Sequence, residues 1–388
     1  MAIIPQQTLF GWEEIESLGD LERLRLVIEY IPDEGLMEKL ERERANGRDD
    51  YPVRAMWNSV LAGVVFQHIS IESLRRELSR NAQLRYMCGF YGINRKSAES
   101  KKKVELVPPP WAYTRFLKNL LEHEEEINVM FEKLVDELKK LLPGFGKDTA
   151  IDSKAIPSLA KHENKEAKVD GRGDKDADFG RKEYRGVHKD GTAWEKIVKW
   201  FGYKLHLIVD SNYELPIAYS VTKASVPDIN EAHRMIDALA KDRPSVLKDC
   251  DTMEADRGYD DSKLIIKLYD KYDIKPVIDI RNMWKDPDET RQLCGYENVV
   301  YNYKGNVFCY CLDSGEKREM TTGGFEKDRK TLKKLCPAKQ YGIECKCMDE
   351  CPVKQGIRIK LEEDRRIFTP IDRASYKWER DYDKRTWL

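Results

Sequence analysis

Two aspartates stand out by their surroundings. Asp152 interrupts the apolar strand candidate "TAIDSKAIPSLA", and Asp256 ends a second one, "TMEAD", just before the turn-like "RGYDDS". In α/β sheets, acids at the carboxyl ends of strands meet at the ligand-binding edge. Two carboxylates from neighbouring strands can hold hard divalent cations, which take oxygen ligands and keep positions open for water and phosphate. Either acid alone reads more simply as a cap on the next element, as Asp256 could be. The pair, each within a full local motif, points to metal-dependent chemistry.

Other groups invite weaker readings. Nine cysteines are present, and seven fall between Cys294 and Cys351. Cys336, Cys345, Cys347 and Cys351, with Cys309 and Cys311, could form a zinc knuckle. Their spacing is not that of a standard zinc ribbon, and free thiols in a poorly packed insertion are the competing reading. Asp228, Glu231 and His233 in "DINEAH" resemble a metal cluster by composition, but a helix start with Asp228 as N-cap explains them. Lys204 and His206 alternate with Phe201, Tyr203, Leu205, Leu207 and Val209 on one strand. They either contact phosphates or line a solvated strand face. Arg75, Arg76, Arg80 and Arg85 project from two short helices compatible with a helix-turn-helix that binds DNA.

The elements that must position these groups follow from periodicity. Residues 1 to about 145 read as helical. "DLERLRLVIEYI" places Leu21, Leu24, Val27, Ile28 and Ile31 at helical spacing, and Ser70 is an N-cap for the helix that follows it. "EEEINVMFEKLVDELKKLL" predicts an amphipathic helix with Ile127, Phe131, Leu134, Leu138 and Leu141 on one face. From 146 onward the order is strand, strand, strand, helix, strand, helix, strand, which is a mixed α/β sheet. A polar stretch from Lys161 to about Gly191 reads as a loop. Residues 282–366 read as a Cys-rich insertion with a hairpin turning at Lys304-Gly305-Asn306. "RRIFTPI" is a candidate for resuming the main sheet, and a last helix starts near Ser375.

"AIDSKAI", "GYKLHLIVD", "LPIAYSVTKASVPDINEAH" and "EADRGYDDS" resemble the DDE transposases of bacterial insertion sequences. Upstream, "YPVRAMWNSVLAGVVFQHISIESLRRELSRNAQLRYMCGF" and "VPPPWAYTRFLKNL" resemble the InsH-type N-terminal domain of the same proteins. The resemblance covers nearly the whole chain, in the family order. It implies a ribonuclease H-like catalytic domain at 146–388 behind a helical DNA-binding domain at 1–145. It also implies catalysis with Mg²⁺ or Mn²⁺, DNA ends and target DNA as substrates, and a homo-oligomer in the synaptic complex. On this match Asp152 and Asp256 are the first two catalytic acids and metal ligands. The family's third acid is a Glu on a late helix. Glu379 is the obvious candidate, but the related pattern runs through Arg-Thr and two further residues before its Glu. Here Arg385, Thr386, Trp387 and Leu388 fill those places, so the expectation is a truncated chain with an incomplete last helix and impaired catalysis. The alternatives are a catalytically inactive DNA-binding regulator and a metal-dependent nuclease outside transposition.

Composition sets the frame. Hydrophobic residues are 41% and charged residues 35% of 388, which supports a real core under a heavily charged surface. No apolar run approaches the roughly 20 residues of a membrane span, and the start lacks a signal-peptide pattern. The expectation is a cytosolic protein on nucleoid DNA. The net charge is −1, yet Tyr51 to Lys118 holds twelve Lys or Arg against four Asp or Glu, a local +8 suited to phosphates.

Overall fold

The computed structural model describes residues 19–45, 50–91, 106–160, 162, 173–188, 190–285 and 289–387. Its contacts divide the chain into two units, 1–141 and 142–388.

The first unit is helical: α1 (Leu21–Tyr30), α2 (Glu34–Arg44), α3 (Val53–Val65), α4 (Ile71–Arg80), α5 (Ala82–Cys88), α6 (Pro110–Leu121) and α7 (Glu124–Leu141). Leu24, Leu36, Met56, Leu74, Leu78, Leu84 and Tyr113 meet in one core. Buried Asp33 accepts from Trp57 Nε1 at 2.6 Å and pairs with Arg54, fastening the α1–α2 connection to α3. Ser70 caps α4 through its side chain, 3.2 Å from the Ser73 amide, as its position predicts. The α7 face differs from expectation: Met130 and Val135 are buried, whereas Leu134 and Leu141 are exposed.

The second unit is built on a six-stranded sheet in the order β2-β3-β1-β5-β6, with β4 also pairing β3. The strands are β1 (Asp148–Pro157), β2 (Asp178–Val187), β3 (Ala193–Asp210), β4 (Pro216–Lys223), β5 (Thr252–Ala255) and β6 (Lys275–Ile278). β1 runs antiparallel to β3 and parallel to β5, and β5 runs parallel to β6. Helix α8 (Asp228–Asp242) packs against β1, β3 and β4. After α9 (Pro244–Asp249) and β5, α10 (Ser262–Ile266) continues as a π-helical turn, Lys267–Lys271. This is the mixed sheet with flanking helices expected of a ribonuclease H-like domain.

Strand β2 corrects the expectation of a loop from 161 to 191. Its residues are too polar to signal a strand, yet they pair with β3 from Asp178↔Gly202 to Val187↔Ala193. The register sets Gly180 opposite Trp200 and Gly186 opposite Trp194. A Cβ on either glycine would fall within 2.6 Å of the indole, so each ring lies over the bare backbone of its partner. Gly202 serves where β1, β2 and β3 meet. Its φ is +151°, and a Cβ there would collide with the Ile156 carbonyl.

The insertion is packed, not loose. β7 (Arg291–Gln292), β8 (Val299–Tyr301), β9 (Val307–Tyr310) and β10 (Lys317–Glu319) form one antiparallel sheet. β11 (Thr321–Glu326), β12 (Thr331–Leu335) and β13 (Ile357–Lys360) form another, with α11 (Pro337–Tyr341) after β12. Val299, Val307, Leu332, Ile357, Ile359 and Phe368 share a core between them. The β8–β9 hairpin turns at 304–306, with Gly305 at φ +88°, as read from the sequence. Residues 366–371 are not a strand: Ile367 and Phe368 join that core as irregular chain, and Ile371 is buried. Helix α12 (Tyr376–Asp383), capped by Ser375, then packs against β5 and β6.

Candidate active site

The centre of the sheet brings the two singled-out acids together. In the parallel ladder Ile151 pairs with Ala255, so Asp152 and Asp256 are the next residues in register on neighbouring strands. Asp152 is half-buried, and its Oδ1 accepts from the Ser153 amide at 2.7 Å. Burial raises its pKa, the Asp256 charge pushes the same way, and Lys182 and Arg385 oppose. Asp256 Oδ1 accepts from the Gly258 amide at 2.6 Å, capping the turn Arg257–Tyr259. A Cβ on Gly258 would stand 2.7 Å from that oxygen, so only glycine permits the cap without a shift. The capping reading and the paired-acid reading of Asp256 are thus compatible, since its second oxygen makes no such bond.

A second polar layer lies further down the same strand faces. Thr252 Oγ1 stands 2.9 Å from Asp148 Oδ1 and 2.6 Å from Glu254 Oε1, and Ser211 Oγ donates to Glu254 Oε2 at 2.5 Å. Glu254 is fully buried, and that burial pushes its pKa up to about 7. Lys384, just past α12, donates to Asp148 Oδ2 at 2.6 Å. From the same segment Arg385 approaches Asp152, and Tyr382 feels the Asp256 charge. Glu379 is exposed on that helix, and Asp381 is buried beside Arg380.

The match with protein families agrees with this geometry. Residues 145–358 match the model described as Transposase DDE domain, and residues 12–101 match Transposase domain (DUF772). The chain belongs to the DDE transposases of insertion sequences. No curated protein and no solved structure matches it.

The donor set of the transposase fits a hard cation in part. Asp152 and Asp256 offer carboxylate oxygens, and their mutual repulsion is what a bound divalent ion would relieve. Among the described residues, no three ligand atoms from His, Cys, Asp or Glu at these strand ends lie within 4.8 Å of one another.

Several expected site residues stand elsewhere. His206 is fully buried and Lys204 nearly so, which closes both side chains to solvent. His206 Nε2 lies 2.9 Å from Thr222 Oγ1, and Lys204 Nζ donates to Val226 O and Asp228. Burial lowers the His206 pKa, so the imidazole is held neutral. The reason is that α8 covers the Lys204–His206 side of β3, making the polar side of that strand the inner one. Asp228 is the first residue of α8 behind Pro227, not its N-cap. Glu231 meets Ser220 and Arg234, and His233 meets Asp261, so among the described residues "DINEAH" gathers no three-ligand metal group.

In the helical unit, Arg75 donates to Pro108 O and Arg85 to Leu78 O, both at 2.7 Å, which commits them to the fold. Arg80 is exposed beside Glu77, and Arg76 is exposed. Residues 92–105, with five of the twelve basic residues between 51 and 118, lie outside the described residues.

The four-cysteine zinc set is also corrected. Cys347 is bonded to Cys311, while Cys336, Cys345 and Cys351 are free and, among the described residues, form no three-ligand group. Lys182 and Arg385 are the neighbours of Asp152 that sequence reading missed. Lys182 lies on the unforeseen strand β2, and its Nζ donates to Ser153 O at 2.9 Å. No local pattern announces that reach.

Proposed function

We propose that Asp152 and Asp256 are the catalytic acids of a transposase that cuts the DNA strand at an insertion-sequence end and joins it to target DNA. The observation that carries this is their side-by-side place on parallel strands inside the family's domain. The acids would hold Mg²⁺ or Mn²⁺, which when bound activates water as a nucleophile and offsets charge on the phosphate. Asp152 and Asp256 present their oxygens from rigid strand ends. Lys182 and Arg385 steady the Asp152 carboxylate and are placed to meet phosphate oxygens beside it. In the helical unit Arg76 and Arg80 offer exposed phosphate contacts. Joining two ends calls for more than one copy, so a homo-oligomer is part of this reading.

Glu379 has no catalytic part in it, being exposed on α12. Exposure of Glu379 also favours a second reading, in which the protein binds DNA without strand transfer and acts as a regulator.

Both readings meet one assay, cleavage and joining of a duplex carrying the insertion-sequence end with Mg²⁺ or Mn²⁺. It is run on the unaltered chain and on its single-residue variants. Asp152→Asn and Asp256→Asn are each expected to lower the rate on the order of a thousandfold or more while leaving DNA binding intact. Glu379→Gln should change nothing. Full activity in either Asp→Asn variant would sink the site, and loss of activity on Glu379→Gln would make it the third acid.

A further inference from the structure

The insertion holds six of the nine cysteines between residues 309 and 351. Cys311, just after β9, and Cys347, in the loop after α11, are both buried and joined by a disulfide. Asp313 completes a group with them. One carboxylate oxygen and the two sulfurs all lie within 4.8 Å of one another, the only such three-ligand group among the described residues. Its position is built by the backbone. Cys311 N donates to Glu316 O at 3.1 Å, and Gly315 N donates to Cys311 O at 2.8 Å. The turn from 311 to 316 is therefore closed at its base. The Asp313 amide donates to Cys347 Sγ at 3.4 Å, and its Oδ2 lies 3.5 Å from the same sulfur. Asp313 is itself exposed, so the group opens to solvent on one side.

Once reduced, Cys311 and Cys347 would offer two thiolates beside the Asp313 carboxylate, with one side open, which is a ligand set for zinc, whose tetrahedral sites take Cys sulfur and Asp oxygen. We propose that in its reduced form the chain binds one zinc ion through Cys311, Asp313 and Cys347, with water in the fourth place. The disulfide is then the form that excludes metal. The chemistry balances with a dithiol as reductant. The dithiol gives two electrons and two protons and becomes a disulfide, the Cys311–Cys347 bond breaks to two thiols, and zinc displaces their protons. Zinc would hold the two sulfurs about 3.8 Å apart on bonds of about 2.3 Å. The consequence is a cross-link kept in both redox states: the loop at 345–351 stays fastened to the end of β9 by a disulfide when oxidised and by zinc when reduced. The cation differs from the one proposed for the strand-end acids, and the inference does not depend on that site.

The test uses the full chain carrying Asp152→Ala and Asp256→Ala, so that the strand-end acids contribute no metal site. Reduced protein is titrated with Zn²⁺ and with Co²⁺, whose absorption reports thiolate ligation and tetrahedral geometry. One equivalent per chain is expected, with none bound after oxidation. Cys311→Ser and Cys347→Ser should each abolish it, and Asp313→Asn should weaken binding tenfold or more. Cys294→Ser, at an exposed thiol outside the group, should leave it unchanged. Should the cysteine variants fail to fold, thiol alkylation mapped by mass spectrometry on the otherwise unaltered chain decides: zinc should protect Cys311 and Cys347 selectively. Failure of the reduced chain to bind, or protection that falls instead on Cys309, Cys336, Cys345 and Cys351, would overturn the assignment.

Discussion

At the scale of single residues, the chemistry depends on how carboxylates are held out of water. Burial and the Asp256 charge raise the pKa of Asp152, a cost to its charged form that a cation bound beside it would offset. Glu254 gives the sharper prediction because it takes part in no proposed step. Its folded pKa is about 7 against an ordinary 4.5, with burial the first cause. A carboxyl whose folded pKa is raised stabilises the fold while protonated. That contribution is complete below about pH 4.5 and is lost as pH rises to about 7. Glu254→Gln keeps the neutral form at every pH. Relative to the parent chain, it should gain on the order of 2–3 kcal/mol between pH 5 and pH 8. Denaturant unfolding of the 142–388 unit at the two pH values measures this, and an equal offset at both would mean that Glu254 is ionised in the fold.

At the scale of elements, the β2–β3 ribbon rests on glycine–tryptophan pairs. Gly180 lies under the buried Trp200 ring and Gly186 under the part-exposed Trp194 ring. Gly180→Ala must displace an indole that has nowhere to go, and overpacking of that kind costs about 1–3 kcal/mol. Gly186→Ala should cost less, since Trp194 can swing outward. Comparing the two unfolding midpoints checks the order, and a larger loss at 186 would contradict it. The ribbon also carries Lys182 to Ser153 O beside Asp152, so Gly180→Ala should lower strand cleavage as well as stability. The terminal segment is a second positioning element. Its Lys384–Asp148 pair at 2.6 Å anchors the stretch that holds Tyr382 and Arg385 near the acids.

At the scale of the whole molecule, a net charge of −1 conceals a basic stretch in the first unit and an acidic pair in the second. Phosphate binding releases counterions, so affinity for DNA should fall steeply between 50 and 200 mM salt. Arg76→Glu with Arg80→Glu should weaken binding and flatten that slope. These exposed side chains support no core, so folding should be unaffected. Binding that is flat in salt would remove the electrostatic role proposed for this unit. The described helices hold no segment long and apolar enough to cross a membrane.

What the sequence determined alone was local. Serine ahead of a periodic run marks the caps at Ser70 and Ser375. Lys304-Gly305-Asn306 between β-rich runs marks the hairpin, and an acid inside one apolar run and another at the end of a second mark Asp152 and Asp256. Each signal lies within a few residues, because backbone hydrogen bonding and side-chain alternation act over that distance. Tertiary structure decided which face of an element is covered and by what. Alternation in β3 defines two faces, but only the packing of α8 makes the side with Lys204 and His206 the buried one. Lys182 and Arg385 reach Asp152 from 30 residues downstream and from the far end of the chain. Cys311 finds Cys347 across 36 residues. Such meetings depend on how separate strands and helices stack, and spacing along the chain carries no record of that.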